Sequence, residues 1–451
     1  MYKVNSSQAF VNSEDELLNN IKLKTDSLTI NIEKKVEIHD EIEINNNIKE
    51  LNIIGTSKDN SILIFNDITN GLIFTGNIQK VKIKDITIFG YLKFINSNYI
   101  EINDTILNGT MDIESNDSNS LIINFNNFVF QGNTNKKNSC ISLVGNVDIN
   151  NSTFYGSPHC EDSIISYNGE NHNTIIIKNS KFDGVYSNNC LNIFQAYKFD
   201  IKLSQLFNGG AYNEKGGGAI RMIESNSFVE DCQFNNNFSE HCGGIFSLEN
   251  SYNFSAKNII SYNSTAIKSG SIVFAKAESK YEFIGYIKNL THSKTGNLKN
   301  NPIQIGGLIA SAQGYAKLDI ENLNATDLYS DDGAGVFTIR ESGSISLNNI
   351  SVQKVYHNKS FQGCFFNSYE EIKGSQFKMN NVTLTDFYLN SEKKSSMLIW
   401  INSEIEISIK ELVYYNDNCK LYFENVTIEN FFSQNPVSFI QSDGYEGKSS
   451  K

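Results

Sequence analysis

With 451 residues, 39% of them hydrophobic and 20% charged, the chain has enough apolar material for a core and too much for disorder. Its net charge of −12 argues against a nucleic-acid partner, whose phosphates are met by clustered Lys and Arg, and arginine occurs only at Arg221 and Arg340. No run of 18 or more apolar residues exists, so no transmembrane helix is expected.

The chain opens on a helix signal. Ser13-Glu-Asp-Glu16 fits a capping box, and Leu17, Leu18 and Ile21 form an apolar face behind it. We read residues 1–26 as an N-terminal cap containing this helix. After Asp26 the period changes to two. Leu28, Ile30 and Ile32 alternate with polar residues, and Leu51-Asn-Ile-Ile-Gly55 and Ile62-Leu-Ile-Phe65 follow as short β-branched strands between polar turns.

Two ladders then run in phase. One is an Asn or Asp after a short strand: Asp85, Asp104, Asn127, Asn151, Asn179, then Ser204 in its place, then Asp231, Asn258, Asn289, Asn322, Asn349, Asn381 and Asn425. These residues suit a corner in the left-handed backbone region, and stacked amides there can hydrogen-bond along the axis. The other is a small residue followed by an apolar strand, returning about every 28 residues, as at Cys140, Ser163, Cys190, Gly218, Gly244, Gly270, Gly307, Gly335, Cys364 and Ser396.

Strands this short, in coils this short, leave no room for the crossover helices of an α/β sheet. The expected fold is all-β: a right-handed parallel β-helix, a β-solenoid of about a dozen coils, with a short N-terminal capping helix. Residues 27–440 are expected to form it as one domain, with 441–451 a disordered tail. Stretched steps place loop insertions near 276–303 and 403–420. The opening lacks an apolar signal region and the end follows directly on a repeat strand. We therefore expect a monomeric piece of a larger secreted chain, extracellular or at the cell surface.

The stretch Gly217-Gly-Ala-Ile220, Phe234-Asn-Asn-Asn237, Gly243-Gly-Ile-Phe246 resembles the GGAI and FxxN repeats of chlamydial polymorphic outer-membrane proteins and of pectin-lyase-like β-helices. Asn-rich repeats of this style are also similar to those of surface proteins and scaffoldins of anaerobic gut fungi. That resemblance implies a cellulosomal scaffoldin-like module that binds the dockerin domains of cellulose-degrading enzymes, or an adhesin-like one.

Polysaccharide cleavage is the alternative, because pectin-lyase-like folds often cut acidic polymers in the manner of pectate lyases or polygalacturonases, and a carbohydrate-binding β-helix stands between the two. Hydrolases need paired carboxylates. Asp331-Asp332 is the one Asp-Asp pair on the repeat, and no His-Gly or Arg-x-Lys follows it. Neither arginine has an acidic cluster in neighbouring coils. Catalytic residues are therefore not expected, nor a cofactor. The histidines, His39, His159, His172, His241, His292 and His357, read as loop residues with no metal-ligand spacing, so no metal is expected. Cys140, Cys190 and Cys364 read as small buried hydrophobes, with Cys232 and Cys242 the nearest pair for a disulfide.

Period two predicts that the residue after each small one faces outward, which in the later coils gives Ile245, Leu308, Val336, Phe365 and Met397. Edged by Arg221, Arg340 and Tyr369, this row is the expected protein-binding surface.

Overall fold

The computed structural model describes residues 6–442 except 46–47, 76–77, 134–138, 161, 213, 296–307, 331–334, 358–362, 370–374, 390–395, 402–405, 409–412, 416–418 and 434–436. Contacts divide the chain into two compact units, Met1–Gln205 and Leu206–Lys451. Both are stacks of short parallel strands, as the two ladders require.

In the first unit one column runs through Ser27–Ile32, Glu50–Gly55, Lys80–Lys84, Tyr99–Asn103, Ile122–Asn126, Asn146–Asn150, Thr174–Lys178 and Lys198–Lys202. The register stacks Leu28, Leu51, Val81, Ile100, Ile123, Val147, Ile175 and Phe199 on one another, all buried. Each such side chain contributes about 1.5–3 kcal/mol by leaving water. The helix Glu14–Asn20 packs against the strands Ser6–Val11 and Lys35–Ile38, with Leu17 buried. Ser13 Oγ accepts from the Glu16 amide at 3.3 Å, and the Glu16 carboxylate accepts from the Asn12 amide at 2.6 Å. The strand Ser6–Val11, which the sequence pattern did not reveal, precedes the helix and pairs in parallel with Ser27–Ile32.

The second unit repeats the plan with longer strands. Asn253–Tyr262, Ile284–Thr295, Lys317–Ser330, Ser344–His357, Ser375–Leu389 and Cys419–Ser433 stack in parallel. A second column runs through Ile220–Ile223, Phe246–Glu249, Val273–Ala277, Ala310–Gly314, Phe337–Arg340 and Gly363–Tyr369. A third, short one consists of Gly210–Ala211, Phe238–Ser239 and Thr265–Ala266.

The Asn corners are as expected. Asp231, Asn258, Asn289, Asn322, Asn349 and Asn381 all have φ between 54° and 58°. Their side chains are joined in series: Asn258 to Asp231 at 2.8 Å, Asn289 to Asn258 at 2.8 Å, Asn322 to Asn289 at 2.9 Å, Asn349 to Asn322 at 2.7 Å and Asn381 to Asn349 at 3.0 Å. In the first unit Asn127 bonds Asp104 at 2.9 Å and Asn151 bonds Asn127. One assignment shifts. The corner residue in the coil after Asn179 is Leu203, with φ 51°, and not Ser204. Ser204 Oγ donates to the Lys202 carbonyl at 2.8 Å, as Ser152 and Ser180 do after their corners.

Cys190 and Cys364 are buried, as expected, whereas Cys140 is joined to Cys160, and the nearest pair in sequence, Cys232 and Cys242, forms no disulfide. The stretch near 403–420 holds two short strands, Glu406–Ser408 paired antiparallel with Val413–Tyr415, which in turn pairs antiparallel with Cys419–Ser433. The stretch near 276–303 is in part the strand Ile284–Thr295. Of the tail, residues 441 and 442 end the strand Val437–Ser442, and 443–451 lie outside the described residues.

Candidate functional site

The strand Phe246-Ser-Leu-Glu249 turns Phe246 and Leu248 into the core, which leaves Ser247 and Glu249 on the opposite face. Register carries that division through the stack. Ser247, Phe274, Ser311 and Thr338 align in one row, and Glu249, Lys276, Gln313 and Arg340 in the next. Corner segments of the second unit rise against these rows and bring Glu214, Lys215, His241, Cys242, Lys268 and Ser269. Together they bound a cleft of about 250 Å³.

Glycine pairs make the corners tight enough for this. Gly217, Gly243 and Gly270 have φ of 76°, 68° and 63°. A Cβ at Gly243 would lie 2.3 Å from the Phe246 carbonyl oxygen. Successive corners bond to each other, Gly217 N–H to the Cys242 carbonyl at 3.0 Å and Lys268 N–H to the His241 carbonyl at 2.9 Å. Asn237, fully buried, accepts from the Gly209 amide at 3.0 Å and donates to the Leu206 carbonyl at 3.1 Å, which explains an Asn at that place in the repeat.

The cleft is locally basic in an acidic chain. Lys215, Lys268, Lys276 and Arg340 face Glu214 and Glu249. Glu249 is already committed, its Oε1 3.4 Å from Nη2 of the largely buried Arg221. Burial, and secondarily the charge on Lys268, lowers the pKa of His241, so its imidazole is neutral at neutral pH and able to take a proton. Its amide donates to Ser239 Oγ at 3.1 Å, which fixes the backbone at this corner. Burial pushes the Cys242 thiol up to about 12, so it stays protonated and is no nucleophile. Among the described residues no cluster of three or more His, Cys, Asp or Glu is placed to hold a metal. Among the described residues no helix is long and apolar enough to cross a membrane.

This geometry corrects the expected binding surface. Ile245, Leu308, Val336 and Phe365 are completely buried. They lie in the corner, before or at the start of each strand, where the chain is turning and strict alternation does not hold. Phe365 packs against Phe337, Phe377 and Phe387 inside the coil. The register also slips by one residue in two coils, so that Val273 and Ala310, and not Ile272 and Ile309, pair with Phe246 and Phe337. The side chains of Met397 and Tyr369, and the pair Asp331-Asp332, lie outside the described residues. Arg221 is inside the face, paired with a carboxylate of the next coil that was not expected there. Of the expected residues whose side chains are described, Arg340 alone lines the cleft. Two histidines read as loop residues are core residues: His292 bonds Ser261 Oγ at 2.9 Å as well as Thr295 Oγ1, and His357 bonds the Cys364 carbonyl at 3.1 Å.

No family model matches the chain, and no curated protein matches it in sequence. Solved structures do. The catalytic domain of a GH87 α-1,3-glucanase in complex with nigerose is 11% identical at a TM-score of 0.35, over 84% of this chain and 64% of that one. The catalytic unit of a thermostable GH87 α-1,3-glucanase from Streptomyces thermodiastaticus is 10% identical at 0.33, over 95% and 69%. A mutant of the PL6 family alginate lyase AlyGC is 9% identical at 0.29, over 97% and 100%. The chain thus spans less than two thirds of the length of the first of these domains. The expectation of a non-catalytic scaffoldin-like or adhesin-like module is corrected. The apolar row meant to carry it is core, and the titles of the similar structures name glucanase and lyase catalytic domains. At this identity and TM-score their titles describe those proteins alone.

Proposed function

We propose that the second unit is a polysaccharide-active β-helix that lays a sugar chain along the cleft formed by Glu249, Lys276, Gln313 and Arg340. The carrying observation is the convergence of His241, two carboxylates and several cations, spread over five successive coils, into one concave site. Polar side chains repeating at the coil spacing, about 4.8 Å, suit a ligand that itself repeats. A neutral His241 beside Lys268 is the group suited to accept a proton, and Glu214 and Glu249 are the carboxylates that line the cleft. The Cys140–Cys160 disulfide and the GGAI and FxxN repeats favour an extracellular or cell-surface setting.

The test is turnover and binding across a panel of plant, algal and fungal polysaccharides. At least one polymer should be bound or cut, and His241→Gln should lower turnover by about a hundredfold or more while binding is kept. Silence across the whole panel, with the protein folded, defeats the reading.

A further inference from the structure

Resting on the reading of this cleft as a polysaccharide site, we infer that Phe274 and Thr338 are its sugar-positioning residues: the Phe274 ring seats one sugar by its apolar C–H side, and the Thr338 hydroxyl takes a hydroxyl of another sugar in the same chain. Two independent observations carry this.

The first is the place of Phe274. Val273, Ala275 and Ala277 turn into the coil, so Phe274 and Lys276 face the other way. An aromatic ring thus stands in an outward row, between Ser247 and Ser311 and with Thr338 one coil further on. It is 8% exposed and lines the cleft, together with His241, Cys242 and Ser269 of the corner segments. Its small neighbours on the row make it the bulkiest group there. A ring that is negative over its faces attracts the slightly positive C–H bonds that a sugar gathers on one side. A few aromatic side chains with well-placed polar groups beside them are what a small-molecule site is built from.

The second is Thr338. It lines the cleft, is 1% exposed, and its Oγ1 has no hydrogen-bond partner among the described residues. The first hydroxyl of the row is provided for, since Ser247 Oγ donates to the Lys215 carbonyl at 3.4 Å. Nothing in the protein does the same for Thr338, and a buried hydroxyl left so is costly. One step about χ1 exchanges its hydroxyl with its methyl, so the hydroxyl turns to the cleft without backbone movement. A sugar hydroxyl both donates and accepts, and completes it in either sense. Phe274 and Thr338 lie two coils apart, about 10 Å along the axis, so the two contacts fall on different sugars of one chain. Neither contact draws on the charges of the cleft.

The experiment measures binding of laminarin, xylan, galactan, alginate and polygalacturonate to the full chain at low and high salt, and carries the tightest binder into the variants. Phe274→Leu, which keeps the apolar bulk and loses the ring, should weaken that polymer about tenfold or more, by the same factor at both salt concentrations. Phe274→Tyr should keep binding within a few-fold. Thr338→Val should weaken binding several-fold and yet raise the denaturation midpoint of the free protein, because it removes a hydroxyl that bonds to nothing there. These opposite signs set a ligand-binding hydroxyl apart from a structural one, and the Thr338→Val result stands even if Phe274→Leu fails to fold. Binding unchanged in Phe274→Leu overturns the inference and leaves the polysaccharide reading standing. A Phe274→Leu loss that high salt abolishes overturns it as well, by assigning the effect to charge. Thr338→Val that loses stability and keeps binding removes Thr338 from the seat and overturns the two-point contact. Silence from every polysaccharide overturns both readings.

Discussion

Leu203 is a leucine in a backbone conformation that its neighbours fill with Asn or Asp. Its φ of 51° costs an L-residue with a Cβ roughly 1–2 kcal/mol, and its side chain is exposed, so nothing in packing compensates. Leu203→Asn should therefore stabilise the protein by about 1 kcal/mol, read as a higher denaturation midpoint at unchanged m-value. Most of the corner ladder was legible because Asn and Asp mark left-handed corners by their own chemistry. Leu203 was not, because a leucine carries no such signal and Ser204 beside it does. Burial hid the two core histidines in the same way, since sequence shows a residue's type but not the layer it occupies.

At the scale of elements, periodicity decided what could be read. The parallel strands, the capping helix and the coil repeat each express a local rule, and the structure carries all three. Which face a corner residue takes is not local. Val336 and Phe337 are both buried because the chain bends between them and the coil interior lies on the inside of that bend. The cleft was hidden for a related reason: its parts stand 27 to 37 residues apart and meet only through register. One signal was available, since Glu249, Lys276 and Arg340 recur at one repeat position three residues into the strand. The Cys140–Cys160 link belongs to this scale too. It closes a loop with a sequence separation of 20, and the loop-closure relation puts its contribution near 3 kcal/mol. Cys160→Ser should lower unfolding free energy by about that amount, and reductant should have the same effect on wild type and none on the variant.

For the molecule as a whole, two buried histidines make the second unit sensitive to acid. Burial lowers His292 to about 3 and His357 to about 4, against 6.5 for the free side chain. Between those values the unfolded chain binds protons that the folded one does not. This part of the stability is complete above about pH 6.5 and is lost as pH falls toward 3, by up to about 1.4 kcal/mol per pH unit for each histidine. Urea midpoints measured from pH 7 to 4 should fall, and His292→Gln should flatten the fall. An unchanged slope in that variant would assign the acid sensitivity to the carboxylates. The corner amides give the molecule something else, a polarity. Every described bond in the second unit's series runs from the amide nitrogen of a later coil to the side-chain oxygen of the one before. An Asp can receive in such a series but cannot pass it on, so it fits only at the opening rung, where Asp104 and Asp231 stand. Asp231→Asn should thus be nearly silent, whereas Asn322→Asp should cost about 1–2 kcal/mol in an unfolding titration. Spontaneous deamidation, which makes the same change, would sever the series wherever it struck past the first rung, and ageing of this protein would be written along one corner.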